Sequence, residues 1–448
     1  MPTEQQADLQ TRSHPRRQVR RVALSSYVGS MLEYYDFLLY GTAAAIVFGP
    51  VFFDELSSAA GTAAALATFA AGYIARPLGG IVFGHMGDRV GRKSVLIVSL
   101  SVMGVTSLLI GLVPPSDAIG SWAPAALLTL RIIQGIALGG EWGGAVLMAM
   151  EHAHPRSRGF VASFAYAGAP SGALLGMAAM ACASMLPEQQ FLEWGWRIPF
   201  LLSGVLLVVG LYLRTSVEES PVFIDASKRK TPDSREAKRT PLSEVLGQWR
   251  VLLSVSMSGI AGFALQSTMV TFAITFAVSN GGQRPAVLLA SALSQAVGIF
   301  SGLAFAKLSD LVGRRPVMVG GISGAAVLLY PFFLLLQSGM FIPTLLGFVL
   351  LTLCLTAIHG PLPAFITEQF GTMSRYTGSS LGYQIATLLG GGLAPLAVTA
   401  IYAAAETALP LIVIFILGIC LLSALAILRA QESKDNDLSM IGQLGSRS

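Results

Sequence analysis

The chain has 448 residues, of which 53% are hydrophobic and only 12% charged. A soluble chain of this length carries roughly twice that share of charge, which excludes a large soluble protein. The net charge of +5 follows from where the basic residues fall and calls for no nucleic-acid partner.

The apolar residues come in long blocks, many near the roughly 20 residues that cross a bilayer as a helix. A polar, basic tail over 1–21 comes first, and the apolar run after it is too long for a signal-peptide core. Hydropathy predicts six spans in the first half, at 22–48, 60–83, 94–112, 122–149, 159–185 and 197–214. Six more follow at 249–279, 286–306, 316–337, 341–366, 378–404 and 409–429. Between the sets lies 215–248, whose Lys, Arg, Pro and Ser content cannot bury a core, and a short tail over 430–448 ends the chain. The expected fold is an all-α membrane protein with twelve transmembrane helices in two six-helix bundles, 22–214 and 249–429. Cys182, Cys354 and Cys420 all fall inside predicted spans and form no CxxC pair.

All but four of the 29 Lys and Arg fall on one side of this topology. Arg197 and Arg284 lie opposite, and Arg76 and Arg131 lie within spans. The positive-inside rule then places both termini in the cytoplasm. The basic linker sits where it can meet anionic lipid headgroups, but orientation alone explains its charge.

One phrase occurs twice. FGHMGDRVGRKSVL (83–96) follows the second span, and FAKLSDLVGRRPVM (305–318) follows the eighth. Asp88 and Asp310 are each followed three residues later by glycine, Gly91 and Gly313, and then by the basic pairs Arg92-Lys93 and Arg314-Arg315. A second echo sits after spans four and ten, where Glu151 precedes Arg158, and Glu368 precedes Arg375, by the same interval. Motifs repeated in register mean two related half-bundles, an architecture common among transporters. Carboxylates that bond amides or arginines across the halves would bias a two-state equilibrium without freezing it. The plainer reading, loops held inside by basic residues, covers Arg92 and Lys93 but not the recurrence of Asp88 and Gly91.

These residues carry a family resemblance. GHMGDRVGRK, Gly84 to Lys93, resembles the loop motif of the major facilitator superfamily, and RIIQG (131–135) resembles its fourth-helix motif. LEYYDFLLYG (32–41), ARPLGG (75–80), GGEWGG (139–144), WGWRIPF (194–200) and EESPVF (218–223) together resemble the metabolite:proton symporter family. The resemblance implies a monomer in the cytoplasmic (inner) membrane, with no cofactor and a proton gradient as driving force. It implies substrates such as shikimate, 2-oxoglutarate, citrate, proline or betaine; EQQFLEWGWRIPF and GYQIATLLGGG are most like shikimate-type members. It also implies that Asp88, Arg89, Arg92, Glu151 and Arg158 form a charge network that holds the inner gate closed. The second half departs from the pattern, with Ala306 at the position of Gly84 and Leu311 at that of Arg89, which sets the second latch, Asp310, Gly313, Arg314, Arg315, Glu368 and Arg375, apart from the first in how it works.

An ionisable side chain inside a membrane span costs several kcal/mol and is a functional candidate by default. Glu33, Asp36, Arg76, Arg131 and Glu141 meet that description. Glu33, Asp36 and Tyr40 share one helix face. Three carboxylates against two guanidiniums leave one acid unmatched, and a buried unpaired carboxylate favours its protonated form. Asp36, Glu33 and Glu141 are therefore candidate proton carriers, or else braces paired within the bundle. Arg131 and Arg76 are candidates for a substrate carboxylate, since a planar fork binds one bidentately, with helix bracing as the alternative. Tyr35, Gln134, Tyr166, Tyr383 and Gln384 either line the cavity or pack the bundle. His359, beside Gly360-Pro361, relays a proton, bonds substrate, or satisfies backbone freed by Pro361 and Pro363.

No GxxxxGK[ST] loop, Cys/His ligand cluster, dinucleotide-binding turn or catalytic serine motif occurs, so an enzyme is not expected. The sequence reads as a secondary transporter whose partners are the bilayer, protons and a small carboxylate or zwitterion, taken up by proton symport. Two rivals stand beside it. Arg131-x-x-Gln134-Gly135 also resembles the pattern of proton-coupled exporters. A non-transporting solute sensor is the other, although the short tails and linker argue against it.

Overall fold

The computed structural model describes residues 16–220, 222–224, 240–372, 374–404 and 408–434, so most of both predicted tails and of the linker lie outside the described residues. The first half contributes α1 (Arg16–Ile46), α2 (Ser58–Val90), α3 (Arg92–Leu112), α4 (Trp122–His152), α5 (Arg158–Ala183) and α6 (Arg197–Thr215). The second contributes α7 (Trp249–Val270), α8 (Arg284–Val312), α9 (Arg314–Gln337), α10 (Phe341–His359), α11 (Arg375–Ala386) and α12 (Ala408–Arg429). Three helices of the second half are interrupted. After Thr271, α7 resumes as Phe272–Ser279, α10 resumes after Gly360-Pro361 as Leu362–Thr367, and α11 passes through a π-helical stretch, Thr387–Leu393, into Ala394–Ala404. Among the described residues there is no β-strand.

Among the described residues, eleven helical segments are long and apolar enough to cross a membrane. The remaining long helix, α1, has 31 residues, but Glu33, Asp36 and several tyrosines and serines depress its hydropathy. Those carboxylates are buried in the bundle rather than presented to lipid, at 2% and 4% exposure, so the helix still fits as the twelfth span.

Helix ends differ from the expectation in one consequential way. Asp88 and Asp310, expected in loops, stand in the last turns of α2 and α8. A single residue separates α2 from α3, and another separates α8 from α9. These are Gly91 (φ +115°) and Gly313 (φ +113°), in backbone that only glycine adopts without strain.

Apolar packing follows the two halves. Three buried clusters belong to α1–α6, with Tyr376 as a visitor in one of them. A fourth, rich in Phe332, Phe333, Phe348 and Phe365, spans α7–α12 and accepts Trp142, Val146, Met150, Ala162 and Ala165 from the first half. The halves meet where α11 crosses α2 and α4, and where α8 lies along α5.

Candidate functional site

The inter-half contacts are densest at the end bearing the repeated phrase. Asp88 accepts hydrogen bonds from the Tyr376 amide (3.2 Å), the Thr377 amide (3.0 Å) and the Thr377 hydroxyl (2.8 Å). These are first-turn groups of α11, which have no intrahelical partner, so the carboxylate caps a helix of the opposite half. Asp310 does the same in the other direction, accepting from the Gly159 and Phe160 amides of α5 at 2.9 Å each. Each half thus caps a helix of the other.

Arginines hold the two aspartates in place. Arg92 lies 3.8 Å from Asp88 and 3.6 Å from Glu151, and donates to the Thr372 carbonyl at 3.0 Å. Arg314 bonds Asp310 at 2.6 Å and Glu368 at 3.2 Å. Arg375 reaches across the halves to Glu151 at 3.4 Å, with Arg158 buried within electrostatic reach of it. Arg92, Arg314 and Arg375 are fully buried.

A third repeated element appears that sequence reading overlooked. Glu219 accepts from the Arg92 and Lys93 amides at 3.1 Å each, and Glu432 accepts from the Arg314 and Arg315 amides at 3.0 Å each. The following serines complete the pattern, Ser220 donating to Glu151 and Ser433 to Glu368. The signal was an Glu-Ser pair after the sixth span and again after the twelfth.

Two expectations about this region need correction. Arg89 is exposed at the end of α2 and makes no ion pair among the described residues, so it does not belong to the network. Its counterpart Leu311 is equally exposed, so the divergence between the copies falls where nothing is bonded, and Asp310 makes its cross-half bonds regardless. The basic residues after the first arginine have a lesser role: Lys93 donates to the Thr215 carbonyl at 2.9 Å, and Arg315 to that of Leu428.

Further inward, glycines let α11 come close to its neighbours. A Cβ on Gly84 would run into the Thr377 backbone, and one on Gly143 into the Ser380 side chain. Trp142 of α4 stacks on Tyr383 of α11 with centroids 3.5 Å apart, Tyr376 donates to the Gly140 carbonyl (2.9 Å), and Gln384 donates to that of Gly139 (3.2 Å). Tyr383 and Gln384 are therefore both engaged with α4 across the boundary between the halves. Across the bundle, Tyr166 of α5 stacks on His359 of α10 at 5.5 Å, and Phe263 meets the same imidazole edge-on.

The intramembrane charges separate into three groups. Glu141 is ion-paired with Arg214 from the last turn of α6 and accepts from Ser99 at 2.8 Å. That third arginine, at the end of the sixth span, upsets the count of three acids against two bases. Glu141 is a brace, not a free carboxylate. Substituting Arg214 with Leu leaves a buried charge without its partner, a loss expected to be about 3–5 kcal/mol. Thermal denaturation of the detergent-solubilised protein should show a markedly lowered midpoint. Adding Glu141→Gln should restore much of it, and a double mutant no more stable than the single one would contradict the pairing.

The second group is Glu33 and Arg76, which face each other at 3.9 Å. Arg76 lies against the Phe37 and Tyr73 rings, 4.6 Å from each centroid.

The third group is unpaired. Asp36 accepts from Ser203 at 2.7 Å and faces the Ser107 hydroxyl, but makes no ion pair among the described residues. Arg131 lies in an aromatic cage of Tyr40 (4.2 Å), Phe69 (4.9 Å) and Phe37 (5.6 Å), also with no carboxylate in ion-pair range among the described residues. It donates to Gln134 at 2.6 Å, and Gln134 donates to Ser107 at 2.6 Å, so a hydrogen-bonded chain runs from Arg131 towards Asp36. Gln134 thus has both ends of its amide engaged within the first half. Tyr35 is likewise engaged within the first half, fully buried and donating to the Pro199 carbonyl at 2.7 Å.

Two related helical halves, reciprocally capped at one end and carrying unpaired charges in the bundle interior, define a membrane transporter rather than an enzyme. Comparison with known proteins agrees. The Major Facilitator Superfamily matches residues 27–395, and the chain belongs to that superfamily. It is 36% identical over 422 residues to the shikimate transporter of Escherichia coli strain K12, covering 93% of this chain and 95% of that one. It is 40% identical over 390 residues to the inner membrane metabolite transport protein YhjE of the same strain, covering 84% of this chain and 86% of that one. Among solved structures, the proton:xylose symporter XylE bound to 6-bromo-6-deoxy-D-glucose superposes with a TM-score of 0.76 at 18% identity, over 95% of this chain and 99% of that one. The protein is a multi-pass metabolite transporter of the cytoplasmic membrane.

Proposed function

We propose that the chain is a proton-coupled symporter that takes up a small organic acid, with a shikimate-like carboxylate favoured, by alternating access. The observation that supports this best is a pair of buried charges outside any ion pair. Among the described residues neither Arg131, buried at 1% exposure, nor Asp36, buried at 4%, forms an ion pair, and each feels the other only at longer range. Each is costly as it stands, and each is relieved by something a symporter carries, an anion at Arg131 and a proton at Asp36. The relatives fit this reading, since one is named a shikimate transporter and a structural neighbour a proton symporter.

In this reading both termini and the linker over 215–248 are cytoplasmic, and the bundles 22–214 and 249–429 rock against each other around the interior charges. The sealed end, with its aspartate caps, faces the cytoplasm. No cofactor is required, and the single chain is the working unit.

Uptake of labelled shikimate and a panel of carboxylates into proteoliposomes, with and without an inward proton gradient, tests the proposal. Accumulation should need the gradient and collapse with an uncoupler. Release of preloaded solute down the imposed gradient would instead make the protein an antiporter, and binding without flux would make it a sensor. Arg131→Ala should weaken carboxylate binding by at least about tenfold, the loss of one charged hydrogen bond. Unchanged affinity would remove Arg131 from the site.

A further inference from the structure

The Glu33–Arg76 pair is built as though something belonged between its members. At 3.9 Å it is too long for a hydrogen bond, although both side chains are buried, at 2% and 5% exposure. Oε2 of Glu33 and Nε of Arg76 have no hydrogen-bond partner among the described residues. Leaving both unsatisfied in a low-dielectric interior is expensive, and a buried ion pair normally closes up and completes its bonds. Arg76 instead rests against Phe37 and Tyr73, two rings that meet edge-on with centroids 5.3 Å apart. The Phe37 ring is shared, with Arg131 against it as well. The two arginines are therefore neighbours around one aromatic ring, one with an acid beside it and one without.

We infer that Glu33 and Arg76 form a subsite for a hydroxyl group of the solute, so that the solute is a hydroxylated monocarboxylate. This rests on the reading of Arg131 as the carboxylate site. A hydroxyl donates one hydrogen bond and accepts others, so it satisfies both members of a loosely opposed Glu–Arg pair at once. It donates to Oε2 of Glu33 and accepts from Arg76. A second carboxylate there gains from Arg76 what it loses to Glu33, and an ammonium the reverse, while a hydrocarbon ring leaves both unsatisfied. A hydroxyl is thus the group the pair favours, over the second charge of a dicarboxylate or an amino-acid zwitterion, which Arg131 alone would admit.

The test is equilibrium binding to the purified full-length protein. The ligands are shikimate, quinate and gluconate as hydroxylated monocarboxylates, cyclohex-1-ene-1-carboxylate as a ring acid without hydroxyls, 2-oxoglutarate as a dicarboxylate, and proline as a zwitterion. At least one hydroxylated monocarboxylate should bind tenfold or more tighter than the other three, the worth of a hydrogen bond to a charged group being about 10- to 100-fold. Glu33→Gln should abolish that preference, weakening the hydroxylated acid by about tenfold while changing cyclohexenecarboxylate less than threefold. Equal loss of both ligands in Glu33→Gln marks a merely structural pair and overturns the inference. So does wild-type protein that binds no hydroxylated acid, or binds the dicarboxylate or the zwitterion as tightly; this comparison needs no variant. Arg131→Ala separates the two levels of the argument. If it leaves carboxylate binding unchanged, the carboxylate site is wrong. If it weakens binding but wild type shows no hydroxyl preference, only the hydroxyl subsite fails.

Discussion

Asp36→Asn is expected to end gradient-driven accumulation while leaving solute exchange at equal pH intact. Asparagine keeps the size of the side chain and can still accept from Ser203, which donates to Asp36 at 2.7 Å. It cannot take up or release a proton. With one proton per solute, a gradient of one pH unit sustains about tenfold accumulation, because one unit is worth about 1.4 kcal/mol. In the variant that ratio should fall to about one, since nothing links solute movement to the gradient. Binding should survive, because a neutral residue near Arg131 no longer competes with the incoming anion. The measurement is uptake into proteoliposomes under an inward pH gradient, beside counterflow without one. Accumulation that persisted in Asp36→Asn would move the proton to Glu33, whose Oε2 is unpartnered, and not to Glu141, which Arg214 already neutralises.

Asp88→Asn is expected to slow turnover severely with little effect on affinity. The carboxylate accepts three hydrogen bonds from the first turn of α11. Asparagine presents only one acceptor oxygen and no charge to that helix start. Loss of a helix-capping interaction is worth about 0.5–2 kcal/mol, which shifts an equilibrium between closed and open forms by about 2- to 30-fold. Net transport should fall by a comparable factor, because the form with this end closed is under-populated, while solute affinity should change less than threefold. A cysteine placed at Ser380, beside Gly143 at the crossing of α11 and α4, should react faster with a polar thiol reagent in the variant than in wild type. Asp310→Asn should behave alike, since its two bonds to α5 are as short. Undiminished flux in Asp88→Asn would mean that the cap is dispensable for switching.

Much of this arrangement was legible before any coordinates. The recurrence of Asp88 and Asp310, with Gly91 and Gly313 at fixed spacing, pointed to paired elements, and intramembrane Glu33, Asp36, Arg76 and Arg131 marked the interior. Spacing shows which residues share a helix face, but not which helix that face meets. For that reason Tyr35 and Gln134 looked like cavity residues, although Pro199 and Ser107 take their polar atoms. Residues at span ends were the harder problem. Arg214, Glu219 and Glu432 sit where charged residues ordinarily mark topology, and nothing local distinguishes an anchor from the partner of a buried group. Helix ends also outran hydropathy, because the polar last turns of α2 and α8 are held by contacts with the other half.

The reciprocal caps have a consequence for how the switch can operate. α2 caps α11 and α8 caps α5, so the same type of bond crosses the boundary in both directions, as in an isologous dimer interface. Such a boundary has no hinge side that stays docked while the other opens. Separation at this end breaks both caps within one movement, so their energies add in the barrier, and a half-open form keeps the strain of one cap without the freedom gained from losing both. On this geometry the two halves resemble fused subunits, for which docked and undocked arrangements are favoured over half-open ones.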